Sequence, residues 1–354
     1  LFNTNIFLGI KDVLARKKIY ATMLAVLVVS SFIIIVPQNL YNTISSKSFT
    51  QYMGIGNYDM RIDIQQTQNI SEKTEDILTE MRNDHTISTY AALTTKIFKA
   101  KMEDGTEENL KVELGDHSAF PIAYSQGKAP VKESEVALSS INADEMNKKI
   151  GDVITLVIEG AEKEFLVSGI YSDITNGGKT AKAVFTDNSA DIMWSIIIAK
   201  LSDTSIVDDV VSEYSSKFGY AKVSDVNEFV TQTFGSTISS VETASYAAVV
   251  VSLIITALIT LLFMKMLIAK DRTSIAIMKA LGFTKSDIKL QYISRSVFVL
   301  IIGIMLGTLL ANTLGEILAG AIISSFGADS FKFTVNPLSA YLLCPLMMGC
   351  AVLI

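Results

Sequence analysis

Three uncharged apolar runs decide what this chain can fold into. Residues 19–36 (IYATMLAVLVVSSFIIIV), 243–264 (TASYAAVVVSLIITALITLLFM) and 296–315 (SVFVLIIGIMLGTLLANTLG) are each long enough to cross a bilayer as a helix. The third has an apolar extension to Phe326, and a fourth run starts near Leu338 and is still apolar at Ile354. With 49% hydrophobic residues and a mean hydropathy of +0.39, the chain is too apolar for an ordinary soluble protein. It is too polar to be membrane throughout, and segregation resolves the conflict. The expected fold is membrane α-helical, with four transmembrane helices, the last truncated, and an inserted extracytoplasmic α+β domain. Expected spans after the first are about 243–264, 296–323 and 338–354. A first residue that is not Met, and a last run that stops inside a span, read as a piece of a longer polypeptide.

Charge follows the same division. Residues 45–241 hold 30 acidic and 18 basic side chains, a net of −12, whereas the remainder has 12 basic and 6 acidic, a net of +6. An acidic domain offers no basic footprint for nucleic acid. Lys11, Arg16, Lys17 and Lys18 precede the first span, and 265–295 is again basic, so both belong on the cytoplasmic side. The 327–337 connection carries only Lys332. Residues 45–241 then lie outside the cell membrane, and the apolar runs are in contact with its lipid. A cleaved signal peptide is disfavoured, because the first apolar core is long and VPQNLYNTI offers no small-x-small site. Three parts follow: 1–45 with the first span, 46–225 as the outer domain, and 226–354 as a stalk and a second membrane part, which the resemblance given below makes the permease domain.

The outer segment reads as mixed α and β. Residues 58–64 alternate with period two, as a half-buried strand does. SEKTEDILTEMRN (71–83) starts a helix with Ser71 as its N-cap. EDGTEE is a hairpin turn between strands at 96–102 and 109–114. EVALSSINADEMNKKIGDVITLVIEGAEKEFLVSGIY gives strand, short helix, and a hairpin through 159–163. Strand, helix and strand follow at 195–201, 204–217 and 220–223. The two cysteines, Cys344 and Cys350, sit in the last apolar run, so this domain depends on its own core. His85 and His117 are 32 residues apart with no partner of metal-ligand spacing, and Asn176-Gly177-Gly178-Lys179 lacks phosphate-loop spacing. No catalytic, cofactor-binding or metal-binding set is expected.

Before the second span, Val226, Phe229, Val230, Phe234, Ile238 and Val241 form a helical stripe, with Gly235 its weak point. A helix starting in the outer domain is expected to enter the membrane without interruption. Leu40, Tyr41, Ile44 and Phe49 offer a partner, with Pro37 as a possible kink. Such stalks either carry movement or hold the domain off the bilayer. Gly303 and Gly307 let another helix approach the third span closely, with dimer contact one outcome. Asn312 and Glu316 lie toward its outer end, where Glu316 is a functional carboxylate or one reaching interfacial water.

The basic loop is the most specific segment. Ile275, Ile277, Met278, Ala280 and Leu281 make an amphipathic turn of helix closed by Gly282, flanked by Lys265, Lys270, Arg272, Lys279, Lys285, Lys289 and Arg295. Such a helix either lies on the inner leaflet or docks on a soluble partner.

RTSIAIMKALGFTKSDIKLQYISRS resembles the permease family typified by FtsX, MacB and the LolC/LolE lipoprotein exporters. Its pattern is an arginine and an acidic residue, then I-x-I-L-K-A-L-G-A-[ST]-x-x-[DQ]-I. Arg272, Ile275, Ile277, Met278, Lys279, Ala280, Leu281, Gly282, Thr284, Asp287 and Ile288 match it. Ser274 stands where the family has Glu, and Phe283 where it often has Ala. IGDVITLVIEGAEKEFLVSGIY is similar to the family's outer-domain hairpin, so the resemblance implies an outer domain of MacB periplasmic-core type. It further implies a non-catalytic permease subunit of an ABC transporter, whose ATP is bound by a separate cytoplasmic ATPase. A second permease copy or repeat would complete the assembly. Docking would use Arg272, Ile275, Met278, Lys279, Leu281 and Gly282, with movement carried by Phe229, Val230, Phe234 and Ile238. The alternative is a membrane-anchored sensor with an extracytoplasmic ligand-binding domain.

Overall fold

The protein is described by a computed structural model that covers residues 4–329 and 331–353. Its helices in chain order are α1 (Thr4–Ala15), α2 (Lys17–Ile44), α3 (Ile70–Asn83), α4 (Ser140–Glu145) and α5 (Val207–Lys217). Then come α6 (Val226–Lys270), α7 (Arg272–Ala280), α8 (Lys285–Leu310), α9 (Glu316–Ser324) and α10 (Cys344–Leu353). The strands are β1 (Met60–Gln65), β2 (Ile87–Lys101), β3 (Glu107–Gly115), β4 (Tyr124–Gly127) and β5 (Glu135–Ser139). They continue with β6 (Val153–Ile158), β7 (Ala161–Tyr171), β8 (Ala181–Ala183), β9 (Ile192–Leu201) and β10 (Lys222–Asp225). Two compact units result. One comprises Leu1–Ser46, Thr237–Ala319 and Lys332–Ile354; the other comprises Lys47–Ser236 and Gly320–Phe331.

The second unit contains all ten strands in one mixed sheet, ordered β10-β1-β9-β2-β3-β8-β5-β7-β4. The β3–β8 and β5–β7 pairs are parallel and the others antiparallel. Strand β6 pairs with both β2 and β7, so the ladder β2-β3-β8-β5-β7-β6 closes on itself. Alternate side chains of this six-stranded ring fill its interior. Phe98, Val112, Leu156, Phe165 and Val167 are buried there, with Phe165 and Phe185 ring centroids 4.9 Å apart. On the other side of the sheet path, α3 and α5 cover β1, β9 and β10. Ile62, Ile64, Ile77, Met81, Ile197 and Tyr214 form that second core. Strand β2, at 15 residues, is long enough to belong to both.

Turn chemistry places the hairpins where the sequence puts them. Asp104 accepts hydrogen bonds from Thr106 between β2 and β3, and Gly105 takes φ +85°. Glu159 and Gly160, both at positive φ, join β6 to β7, as a two-residue hairpin requires.

Two local expectations are corrected. Strand β1 is not half-buried: Met60 to Ile64 are all enclosed, and the polar alternates Arg61 and Asp63 form a bidentate ion pair. Ser71 is not the N-cap of α3. The helix starts at Ile70 after Asn69, which adopts the left-handed conformation that Asn tolerates.

Helices Lys17–Ile44, Val226–Lys270 and Lys285–Ser324 are long and apolar enough to cross a membrane. The fourth apolar run forms the shorter helix Ser339–Leu353. The basic stretch before the first span is itself a helix, α1, and α2 continues through Pro37 to Ile44. Tyr20, Met23, Leu27, Leu267, Val299 and Met348 lie in the common core. The third long helix contains a widened turn at Ala311–Gly315, and another precedes α10 at Ser339–Leu343. Beside the first, the Asn39 amide donates to the Asn312 side-chain oxygen at 2.9 Å.

Residues 320–331, from the last turn of the third long helix onward, cluster with the sheet domain. The Gly327 carbonyl accepts from Asp173 N–H (3.1 Å) and Ser140 Oγ (2.8 Å). Gly327 has φ +108°, and a Cβ there would lie 2.3 Å from the Asp173 carbonyl oxygen. Only glycine fits.

Candidate functional site

The basic loop folds as a helix, a tight stop and a second helix start. α6 ends at Lys270, Asp271 intervenes, and α7 begins at Arg272. After Ala280 the Phe283 N–H donates to the Met278 carbonyl and Gly282 N–H to Lys279, each at 3.1 Å. Gly282 has φ +90°, the left-handed position that ends a helix in this way. Thr284 and Asp287 then bond reciprocally, a capping box that opens α8.

The apolar residues of α7 divide between two destinations. Ile275, Met278 and Phe283 are half-buried and pack on the core of their own helical unit. Ile277 and Leu281 are 57% and 72% exposed, and Arg272 and Lys279 are exposed beside them. The expected docking set of Ile275, Met278 and Leu281 is therefore split. The first two face inward, and the outward apolar pair is Ile277 and Leu281.

A four-charge network fixes the root of α7. Arg16 bonds Asp12 through Nε (2.7 Å) and Asp271 through Nη1 (2.8 Å). Arg295 reaches Asp271 at 3.0 Å and Asp12 at 3.2 Å. The Tyr20 and Tyr292 hydroxyls donate to Asp12 and Asp271, and the Arg295 guanidinium lies 4.3 Å from the Tyr292 ring. Two cations and two carboxylates balance. They tie α1, the start of α2, the residue ahead of α7, and α8. The hydrogen bonds from Arg16, opposed by burial and joined by those from Tyr292 and Arg295, hold the Asp271 carboxyl down at about 2. The bonds to Asp271 and Asp12 raise Arg16 above its usual range.

In the sequence Arg16 and Arg295 stand as topological charges, and Asp12 and Asp271 have no assigned role. Two signals were present: Asp12 stands four residues before Arg16, a favourable helical pairing, and Asp271 is the lone acid between Lys265 and Lys285.

Behind α7 lies a cavity of about 490 Å³, walled by Leu261, Met264, Ile268, Ile275 and Ile293, with Lys279, Lys285 and Lys289 also on its lining. Among the described residues, no group of three or more His, Cys, Asp or Glu side chains is placed to hold a metal ion.

The stalk stripe is one face of a single helix. Phe229, Val230, Phe234, Ile238 and Val241 are half-buried, while Glu228, Thr231, Gln232 and Thr233 between them are exposed. Phe49 meets Phe234 edge-on at 5.8 Å, as its expected partner segment should. Phe229 covers the Arg61 guanidinium at 4.1 Å. Gly303 and Gly307 serve close helix approach within the chain. A Cβ on Gly303 would be 2.7 Å from Leu27 Cβ, and one on Gly307 would be 2.6 Å from Ser31 Cβ. That face is occupied by α2, so it is not available for a dimer contact. The Glu316 carboxylate accepts from the Phe333 N–H at 2.9 Å, which ties the following loop to the helix. His117 is buried between the carbonyls of Glu113 and Ala183.

Several solved structures share a likeness with part of the chain. The periplasmic region of MacB from Actinobacillus actinomycetemcomitans matches at 14% identity and a TM-score of 0.37, over 51% of this chain and 94% of that one. A domain of a putative permease from Porphyromonas gingivalis matches at 11% and 0.30, over 50% and 91%. The extracellular domain of the noncanonic ABC-type transporter YknZ from Gram-positive bacteria matches at 9% and 0.32, over 48% and 100%. No curated protein matches the sequence. Over residues 246–354, the stretch containing the later part of α6, the basic loop and α8, the chain matches the family described as FtsX-like permease C-terminal.

Proposed function

We propose that the chain is the membrane subunit of an ABC transporter, driven by a separate cytoplasmic ATPase that binds the ATP. The observation that carries this reading is α7: a short helix rooted by a balanced ion network, with Ile277 and Leu281 left exposed beside Arg272 and Lys279. An amphipathic helix of this kind suits a hydrophobic groove with an acidic rim. Its position inside the FtsX-like match supports the same reading. In this scheme the fourth apolar helix completes a four-span permease in a bacterial plasma membrane, with the sheet domain outside.

α6 supplies the means of transmission. Its 45 residues span roughly 67 Å at 1.5 Å per residue, without an internal proline. Val250, Ile254, Leu258 and Leu262 are exposed along it and would face lipid or a second permease copy. Movement at α7 would then reach the outer domain and serve mechanotransmission, or the export or extraction of a lipophilic or peptide substrate.

The test is co-purification of a cytoplasmic ATPase with the tagged full-length protein from its own membranes. Leu281→Asp and Ile277→Asp are expected to abolish recovery of the ATPase while leaving the permease folded, because both side chains are exposed. Undiminished recovery with both substitutions combined would sink the proposal.

A further inference from the structure

Helix α1 is built inside out. Phe7, Leu8, Lys11, Leu14 and Ala15 are exposed, and Lys18 continues the series in the first turn of α2. Their steps of three and four put them on one face. Phe7 is 60% exposed and Leu14 52%. The side that packs on α8 is the polar one. The Asn5 amide donates to Asp287 at 2.8 Å, and the Asn5 side-chain oxygen accepts from Gln291 at 3.1 Å. Asp12 faces the same way, with Arg295 of α8 at 3.2 Å. A Cβ on Gly9 would lie 2.7 Å from the Gln291 carbonyl oxygen, so the two helices meet backbone to backbone. Of the large apolar side chains of α1, Val13 alone is buried.

A helix docked on a water-soluble core turns its apolar side inward and its charges outward. The reverse arrangement suits an apolar medium on the outer side. Three observations say which medium. First, a single residue separates α1 from α2, the first membrane-crossing helix, so the exposed face begins where that span begins. Second, that residue, Arg16, has φ −112° and ψ 38°, which breaks the helix, and the 12 residues of α1 make it about 18 Å long. That is too short to cross a hydrocarbon core of about 30 Å. Third, Lys11, Lys17 and Lys18 are exposed along the border of the apolar face, where their stems can run from an apolar layer to headgroups.

We infer that α1 lies on the cytoplasmic surface of the bilayer, with Phe7, Leu8 and Leu14 among the acyl chains and the three lysines at the headgroup phosphates. The inference rests on the membrane placement in the proposed function and needs no ATPase. It also gives the ion network a second task. Arg16 bonds Asp271, the residue ahead of α7, at 2.8 Å. The lipid contact of α1 therefore fixes the height of the α7 root relative to the headgroups.

Trp194 is the single tryptophan of the chain, so Phe7→Trp and Leu14→Trp, each combined with Trp194→Phe, place a lone fluorophore on this face. The full-length protein is reconstituted without ATPase into vesicles of equal parts phosphatidylcholine and phosphatidylglycerol. Lipids brominated in their acyl chains should quench both variants, with emission shifted to shorter wavelength and quenching by aqueous acrylamide largely lost. Quenching by acrylamide and not by brominated lipid would overturn the inference and give the face to a soluble partner. Protection from both quenchers would overturn it too, as a face closed by a second copy. Protein that alkaline extraction strips from the vesicles would overturn the membrane placement along with the inference. Either variant alone decides the matter should the other misfold.

Discussion

Both units of this protein bury charge, and they do so for different ends. In the helical unit, Asp12, Arg16, Asp271 and Arg295 are neutral as a group and join segments far apart in sequence. In the sheet domain, Arg61 and Asp63 pair within β1, and Glu113 and Lys182 pair across β3 and β8, around a cavity. The first arrangement is a fastening, since every charge is used by another part of the same chain. The second keeps each pair local, within one strand or between adjacent strands. A network that joins distant segments holds a fold together, whereas local pairs settle charge on a single sheet.

Breaking the fastening should have the largest effect. Asp271→Leu leaves two arginines facing Asp12 alone and should cost about 3 kcal/mol, read as a lower melting temperature of the detergent-solubilised protein. Adding Arg295→Leu removes the surplus cation, so the double variant should lose less than the two single losses added together. Simple additivity would show that the four charges do not act as one group.

Overfilling the glycine face comes next. Gly307→Leu places side-chain atoms against Ser31 and the Val28 carbonyl, and should cost about 1–3 kcal/mol. An unchanged melting temperature would mean that α2 and α8 part easily.

Acid should separate the anchored carboxylates from the one near the cavity. Burial would raise Asp187, but hydrogen bonds from Ser189, Lys96 and the Ala190 N–H bring it down to about 2. A depressed pKa contributes stability above the ordinary 3.8 that disappears as pH falls toward 2, about 2 kcal/mol here. Asp271 behaves with the same sign. Asp173, whose pKa is raised, has the opposite sign: its contribution is present at low pH and lost as pH rises. Asp187→Asn should therefore flatten the acid limb of a melting-temperature profile. If the limb is as steep in that variant, another group carries it.

The smallest effect serves as the reference. Lys101 pairs with Glu162 in the open, both side chains being more than two-fifths exposed, and Lys101→Ala should leave the melting temperature where it was. A clear drop would undo the contrast between buried and exposed pairs in this protein.

Local chemistry was legible in the sequence, and long-range partnership was not. Asp104-Gly105 and Glu159-Gly160 announced their hairpins because turn residues act on their own backbone. The stripe from Phe229 to Ile238 announced a half-buried helix face by period alone. No local signal tells that β6 closes a ring by returning to β2, or that Asp271 finds Arg16 across 255 positions. The α7 motif fell between these cases. Its period gave an amphipathic helix, but period cannot say which apolar residues the chain keeps for its own core. Ile275 and Met278 were kept, and Ile277 and Leu281 were not.

The widened turn at Ala311–Gly315 is the one place where the third long helix can lose a residue without changing its faces. A turn of this kind accommodates one residue more than an ordinary helical turn. Deleting one residue there would restore uniform winding and leave everything downstream on the same side. Deleting one from the regular part of α8 would instead swing everything downstream by about 100° around the axis. Glu316 would then turn away from the Phe333 N–H.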